Sequence, residues 1–268
     1  MALSNPGLTF GTNPAGYHDA RPPYPEATWE VLRDRAGLAP GIDIVEIGPG
    51  TGLATGHLLA HEPRRLVAVE PDRRLADFLR EGLGDRRLQV IGGSFEEVEL
   101  PPAAFDLVAC ATAFHWLDAG PALLRVRDLL RPGGAVALWW NVFGDTSRLD
   151  PFHEATEHLF AGERSNPSAG QSERVPHALD VEARLAELND AGFQTDSPVF
   201  MHWTLNLDAA GVRRLYETFS NVLVLPLTER HALLDGLVDV AERQFGGRVE
   251  RNMTTAIYTA RPVGFQAG

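Results

Sequence analysis

Apolar residues along this chain fall into short unbroken runs, and the stretches between them carry an apolar residue at every third or fourth place. That is the pattern of strands buried on both faces alternating with amphipathic helices. Ile42, Ile44, Val45 and Ile47 mark a first strand, followed by a predicted helix over 51–61. Leu66, Val67, Ala68 and Val69 form a second strand that ends at Glu70. A helix over 71–83 places Leu75, Phe78 and Leu79 on one face, and a strand over 87–91 then runs into a turn at Gly92 and Gly93. A fourth strand over 105–113 and a helix over 117–130 follow; Pro132, Gly133 and Gly134 stop that helix ahead of a strand over 135–141. Further on, the pattern predicts helices over 152–160, 181–191, 208–218 and 229–245, an extended stretch over 199–207, and a last strand around 254–259.

Strands that alternate with helices in this way build an α/β fold with a parallel, doubly wound sheet. Its ligand lies beyond the carboxyl ends of the strands. The loop from Gly48 to Gly52, Glu70, the turn Gly93-Ser94-Phe95, the segment Ala113 to Trp116, and Trp140 with Asn141 therefore converge on one crevice.

Composition narrows the picture. With 268 residues and a 44% hydrophobic fraction, the chain can fold as one domain over 1–268, with an N-terminal segment over 1–40 and a lid or insertion at about 144–178. Its 24 Lys and Arg against 36 Asp and Glu leave a net charge of -12, a field that repels phosphate backbones, so nucleic acid is not an expected partner. The start has no basic-then-apolar leader, and the most apolar stretch, 135–143, is too short to span a bilayer. No membrane partner and a cytoplasmic location are expected. Cys110, the single cysteine, sits in an apolar run and reads as a buried small hydrophobe.

The chemistry is concentrated in the first strand-loop-helix. Gly48, Gly50 and Gly52 let the backbone turn sharply and approach a ligand closely, and Glu70 follows about 20 residues later, where a carboxylate accepts from both ribose hydroxyls. This combination points to an adenosine cofactor. A dinucleotide site wants G-x-G-x-x-G, but Leu53 stands where the third glycine belongs, which disfavours NAD. His57 and His61 share a helical face, yet Leu58 replaces the Glu of the zinc-protease motif, so no metal is expected. No Asn-Pro-Pro-Tyr motif follows the fourth strand, which argues against base-amino methylation of DNA.

The run Glu46-x-Gly48-x-Gly50-x-Gly52 resembles motif I of the class I S-adenosylmethionine (SAM) methyltransferases. Tyr17, Arg21, Pro22, Tyr24 and Pro25 are similar to the Y-x-x-x-R-P-x-Y-P segment of a small-molecule branch, methyltransferase type 11, with ubiquinone/menaquinone-like and trans-aconitate-like members. Phe105-Asp106-Leu107-Val108, Phe114-His115-Trp116 and Leu130-Arg131-Pro132-Gly133-Gly134 extend the likeness. The resemblance implies a Rossmann-like, mainly parallel seven-stranded sheet with an antiparallel last strand and a helical lid, and SAM as cofactor. In that picture the three glycines pack beneath the cofactor, Glu70 holds its ribose with Pro71 alongside, and Ser94 and Phe95 flank the adenine. Many relatives carry Asp where this chain has Ser94; Glu96 or a backbone carbonyl would then meet the adenine amino group. Glu46 orders loop amides or the cofactor ammonium, and Ala111, Thr112 and Ala113 line the cofactor. Tyr17, Arg21 and Tyr24 close over its amino-acid end, Arg21 pairing with a carboxylate there or on the substrate.

Phe114, His115, Trp116, Trp140 and Asn141 are then the expected acceptor pocket. His115, whose imidazole suits proton removal near neutral pH, is the candidate base, with a purely structural role as the competing reading. The function so implied is methyl transfer from SAM to an O, N or C nucleophile of a small molecule, a carboxylate among them. Two alternatives stand beside it: a SAM-binding protein that does not transfer methyl, acting in regulation or in a reaction such as a cyclisation, and an NAD(P)-dependent oxidoreductase.

Overall fold

A computed structural model describes residues 11–143, 147–160 and 175–264, which group into two compact units. A sheet unit comprises Pro23–Asn141, Asp180–Phe200 and Thr255–Gly268, and a second, mainly helical unit comprises Met1–Pro22, Val142–Leu179 and Met201–Thr254. In chain order the elements begin α1 (Pro14–Ala20), α2 (Ala27–Ala36), β1 (Asp43–Ile47), α3 (Leu53–Ala60), β2 (Arg65–Glu70), α4 (Arg73–Leu83), β3 (Leu88–Gly92) and β4 (Phe105–Ala111). They continue α5 (Ala119–Leu129), β5 (Leu130–Phe143), α6 (Pro151–Thr156), α7 (Val181–Asp190), β6 (Phe193–Thr195), β7 (Val199–Asp208), α8 (Ala209–Tyr216), α9 (Ser220–Leu223), α10 (Leu227–Phe245) and β8 (Arg248–Pro262).

The strands lie in the order β3-β2-β1-β4-β5-β8-β6, with β7 paired to β8. The pairs β1–β2, β1–β4, β2–β3 and β4–β5 are parallel, and β6 runs antiparallel to β8. Every residue of β1 is buried, as are the last five of β2, which is why these strands read as mainly apolar runs, with Glu46 and Glu70 as buried exceptions. Strand order reverses direction at β1 and β4, so the carboxyl ends of these two strands frame the crevice of a doubly wound sheet.

Among the described residues eight strands pair where the pattern predicts seven. The additional one, β6, has three residues and is too short to show a period in sequence. Pro132, Gly133 and Gly134 also behave differently from expectation. The helix has already ended at Leu129, and the three residues lie inside β5, whose pairing jumps from Phe105↔Leu130 to Leu107↔Ala135. At the opposite end of the sheet from the crevice, Asp43 accepts from Arg64 and Arg131, and Arg131 also reaches Asp106.

The helical unit has its own core, in which Leu233, Leu234, Leu237 and Ala241 of α10 meet Phe152, Val212 and Tyr216. Within it the Nε of Arg251 donates to Asp150 at 2.8 Å while a second nitrogen donates to the Tyr216 hydroxyl; Arg251 is 2% exposed. Asp150 additionally caps α6 by accepting from the amide of His153. Of the lid expected at about 144–178, α6 and a 3-10 turn at Glu157–Phe160 are seen, and 144–146 and 161–174 lie outside the described residues. Among the described residues no helix is long and apolar enough to cross a membrane, and no three His, Cys, Asp or Glu cluster as metal ligands do.

Candidate active site

The crevice is built from the loop that leaves β1. Gly48, Gly50 and Gly52 all adopt positive φ, at +62°, +59° and +90°, a region costly for any residue with a Cβ. Steric reasons differ along the loop. A Cβ on Gly48 would lie 2.6 Å from the Cβ of Ala113, and one on Gly52 would lie 2.5 Å from Leu79, whereas one on Gly50 meets nothing within 4 Å. Gly48 and Gly52 are therefore required by the fold, and Gly50 borders open space where a ligand can approach the backbone.

Two carboxylates flank this loop. Glu70 ends β2 nearly buried; one oxygen accepts from the amide of Gly50 and the other from that of Asp72, each at 3.0 Å. Burial pushes its carboxyl up to about 7 against the lowering effect of these two amides. Glu46, on β1, is fully buried, and neither of its oxygens has a hydrogen-bond partner. Burial raises it to about 8; the Thr55 hydroxyl offsets part of that, and the Glu70 charge adds to it. The hydroxyls of Thr51 and Thr55, at the start of α3, are likewise buried without a well-formed hydrogen bond, although that of Thr55 lies near enough to the Glu46 carboxyl to favour its charged form. Unpaired buried polar atoms in this number are uncommon, and here they lie on two elements joined by the glycine loop. Neither Thr51 nor Thr55 is singled out by sequence, because a threonine at a helix start is ordinary.

Strand β4 ends in a strained residue. Thr112, β-branched, sits at φ +55°, its amide bonded to the Trp139 carbonyl at 2.7 Å and its hydroxyl 2.8 Å from that of Tyr24. Tyr24 thus touches the turn that follows β4 at Thr112, and its ring packs edge-on against Trp29 and Trp139. Trp29 in turn stacks on His57 at 4.5 Å, so that histidine lies against a buried indole. The Cys110 thiol is wholly buried and raised by desolvation.

On the third side, Phe114 is buried and His115 half-buried in a 3-10 turn at Phe114–Trp116. The indole Nε1 of Trp140 donates to Nδ1 of His115 at 3.2 Å. Trp139 and Trp140 point to opposite sheet faces, as adjacent strand residues must, but both are buried. Asn141 donates to the Pro23 carbonyl and accepts from the Thr255 hydroxyl, so its amide is engaged at both ends.

Other expected residues are placed less simply. Phe95 is 2% exposed with the guanidinium of Arg125 over its ring at 5.2 Å, so one ring face is already covered. Ser94 is half-buried, its carbonyl accepting from the amides of Glu97 and Val98, and Pro71 is exposed beside Glu70. Tyr17 and Arg21 belong to the helical unit, where Arg21 donates to the Thr218 carbonyl at 2.8 Å between the rings of Tyr17 and Phe219.

This architecture is shared with known proteins. Residues 45–138 match the family model described as a methyltransferase domain. An uncharacterised methyltransferase of Schizosaccharomyces pombe is 29% identical over 262 residues, spanning 96% of this chain and 98% of its own length. Among solved structures, one described as a type II methyltransferase from Anaeromyxobacter dehalogenans superposes with a TM-score of 0.63 at 21% identity, covering 90% of this chain and 97% of that one. The phosphoethanolamine N-methyltransferase 2 of Haemonchus contortus, solved with phosphomonomethylethanolamine and S-adenosylhomocysteine, gives a TM-score of 0.55 at 14% identity, over 94% of this chain and 57% of that one. The match over residues 45–138 and the likeness to an uncharacterised methyltransferase along nearly the whole chain imply S-adenosylmethionine as cofactor, and the fold is the one these solved structures share.

The residues present fit that cofactor. A buried carboxylate with two unpaired oxygens suits a ligand that is cationic at its sulfonium and ammonium, and the open side of Gly50 beside Glu70 suits a ribose.

Proposed function

We propose that the protein methylates a small-molecule acceptor in the crevice at the carboxyl ends of β1, β4 and β5. The observation that carries this reading is the wholly buried Glu46 carboxyl beside the Gly48–Gly52 loop, whose oxygens lack a well-formed hydrogen bond. When bound, SAM supplies a methyl group already activated on a sulfonium sulfur. The protein's own part is then alignment and exclusion of water.

Glu46 takes the cationic amino-acid end, Glu70 the ribose hydroxyls, and the bare Gly50 backbone admits the ligand. The strained Thr112, held by Tyr24, shapes the wall facing the cofactor. Phe114, His115 and Trp116 lie where an acceptor approaches. The net charge of -12 and the lack of a cationic cluster in the sequence favour a small acceptor over nucleic acid.

Calorimetry with SAM, S-adenosylhomocysteine and NAD tests the cofactor half of the reading, with binding of the first two expected and binding of NAD alone contradicting it. Incubation with methyl-labelled SAM and a small-molecule extract tests the other half: label is expected in a low-mass product, and label that stays in SAM across varied extracts would remove the assignment.

A further inference from the structure

We propose that Tyr24 is a positioning residue: its hydroxyl latches Thr112 in the left-handed backbone region, and the turn so held sets the acceptor-side residues Phe114–Trp116 against the glycine loop. The hydroxyl oxygens of Tyr24 and Thr112 are 2.8 Å apart, and the Thr112 amide donates to the Trp139 carbonyl at 2.7 Å. At φ +55° a β-branched residue carries a conformational cost that glycine would not. Threonine stands there all the same, and what it has that glycine lacks is the hydroxyl that meets Tyr24. Among the described residues, the other non-glycine positions at positive φ, Glu62 and Ala103, lie in turns that feed the amino-terminal ends of β2 and β4, away from the crevice.

The turn has something to place on either side. A Cβ built on Gly48 would lie 2.6 Å from the Cβ of Ala113, so the residue after Thr112 rests directly on the glycine loop. The Ala113 carbonyl accepts from the amide of Trp116 at 3.0 Å, which suspends the 3-10 turn Phe114–Trp116 from the same residue. A backbone relaxing from φ +55° towards the extended region rotates Ala113, and that turn with it, relative to the loop. Tyr24 is itself braced. Its ring packs edge-on against Trp29 and Trp139 at 6.3 and 5.9 Å, and the wholly buried Trp29 stacks on His57 of α3, the helix that leaves the glycine loop. The latch is thereby anchored to both walls of the crevice, and every residue in it belongs to the sheet unit.

This inference rests on the crevice being a methyl-transfer site and gives Tyr24 a part in alignment. In a methyl transfer the acceptor's lone pair bonds to carbon as the carbon–sulfur bond breaks and leaves its electron pair on sulfur, so the rate depends on the line of three atoms. A hydroxyl that touched the cofactor would govern its affinity instead. The two roles separate in measurement: alignment appears in turnover at saturating SAM, and contact appears in the dissociation constant.

The test has arms with and without turnover. Tyr24→Phe removes the hydroxyl and keeps the ring packed against Trp29 and Trp139. In ligand-free protein carrying isotope-labelled threonine, the Thr112 magnetic-resonance signals, identified by their loss in Thr112→Gly, are expected to report a left-handed backbone in wild type and to lose that signature in Tyr24→Phe. The same substitution is expected to lower the melting temperature by about 2–4 °C in the wild-type background, and to change it far less in Thr112→Gly, which has neither the strain nor the hydroxyl. A wild-type Thr112 with extended backbone, or an equal melting loss in both backgrounds, would overturn the latch without reference to activity. For the reaction, calorimetry with SAM is expected to give Tyr24→Phe a dissociation constant within about threefold of wild type, while label transfer from saturating methyl-labelled SAM into a small-molecule extract falls about tenfold or more. Weakened SAM binding with undiminished transfer at saturation would make Tyr24 a cofactor contact and defeat the proposal. A wild-type protein that transfers no label removes the methyl-transfer reading, and the alignment role with it, even where the melting comparison upholds the latch.

Discussion

Glu46 and Glu70 differ from the other carboxylates of this chain because burial, more than any neighbour, sets their charge. The consequence for stability has a definite sign. Glu46 titrates near its ordinary value of 4.5 when unfolded and at about 8 when folded, so between these values the folded protein holds the extra proton. Its contribution to stability is complete below pH 4.5 and is lost as pH rises through 8. Glu46→Gln, which cannot ionise, is therefore expected to melt higher than wild type at pH 8 in the absence of ligand, by on the order of 5 °C, with the gap closing towards pH 5. The same substitution is expected to weaken SAM binding about tenfold or more, because a cation loses its charged partner. A melting difference that ignores pH would refute the burial account. A second check is proton release: SAM binding measured calorimetrically at pH 7 in buffers of different ionisation enthalpy is expected to show net release as the carboxyls ionise beside the arriving cation.

The glycine loop separates two demands on a single element. Gly48→Ala forces a Cβ to 2.6 Å from Ala113 at a φ of +62°, and is expected to cost about 2 kcal/mol or more in chemical denaturation together with cofactor binding. Gly50→Ala has a similar φ but open space around it, so its expected stability loss is only about 1 kcal/mol while its loss of SAM affinity is larger than that cost. If the two variants lose stability and affinity in the same proportion, the distinction between fold glycine and ligand glycine fails. The legibility of this region in sequence has the same origin. A strand covered on both faces is predominantly apolar, and a loop with three positions at positive φ favours glycine at each, so β1, β2 and the loop are written locally. By contrast, β6 has only three residues, and its pairing with β8 through Phe193↔Pro262 is a long-range event.

Electrostatics across the whole molecule act at places remote from the crevice. Asp43 is held well below the usual carboxylate range, at about 2, first by its hydrogen bond from Arg64 and then by Arg131 and Arg65, all at the amino-terminal end of the strands. Its stabilisation is present above about pH 4 and is lost as pH falls towards 2, and Asp43→Asn is expected to flatten acid unfolding over that window. Arg64, the leading partner, is 62% exposed and hydrated, so the loss at neutral pH should stay near about 1 kcal/mol. In the helical unit Arg251 and Asp150 are both buried. Arg251→Met strands a carboxylate among Phe152 and Tyr216, and is expected to cost about 3–5 kcal/mol, with partial recovery on adding Asp150→Asn. Denaturation of the single and double variants measures both values.

Local rules thus account for the alternation of strands and helices, the glycine loop and the placing of Glu70 at a strand end, because steric limits on φ and the cost of burying polar groups act within a few residues of the position they constrain. The charge and proton positions that give the crevice its chemistry arise only in three dimensions. His115 accepts a hydrogen bond from an indole 25 positions away, and Thr112 keeps its strained backbone against Tyr24 from 88 positions away. The pKa of Glu46 depends on how completely the sheet and α3 exclude water from it. Phe95, which the resemblance sets beside an adenine, has Arg125 over one face of its ring, and nothing local distinguishes an open aromatic face from a covered one. Hydrogen bonding and desolvation are pairwise and volumetric, and a linear order of residues carries neither.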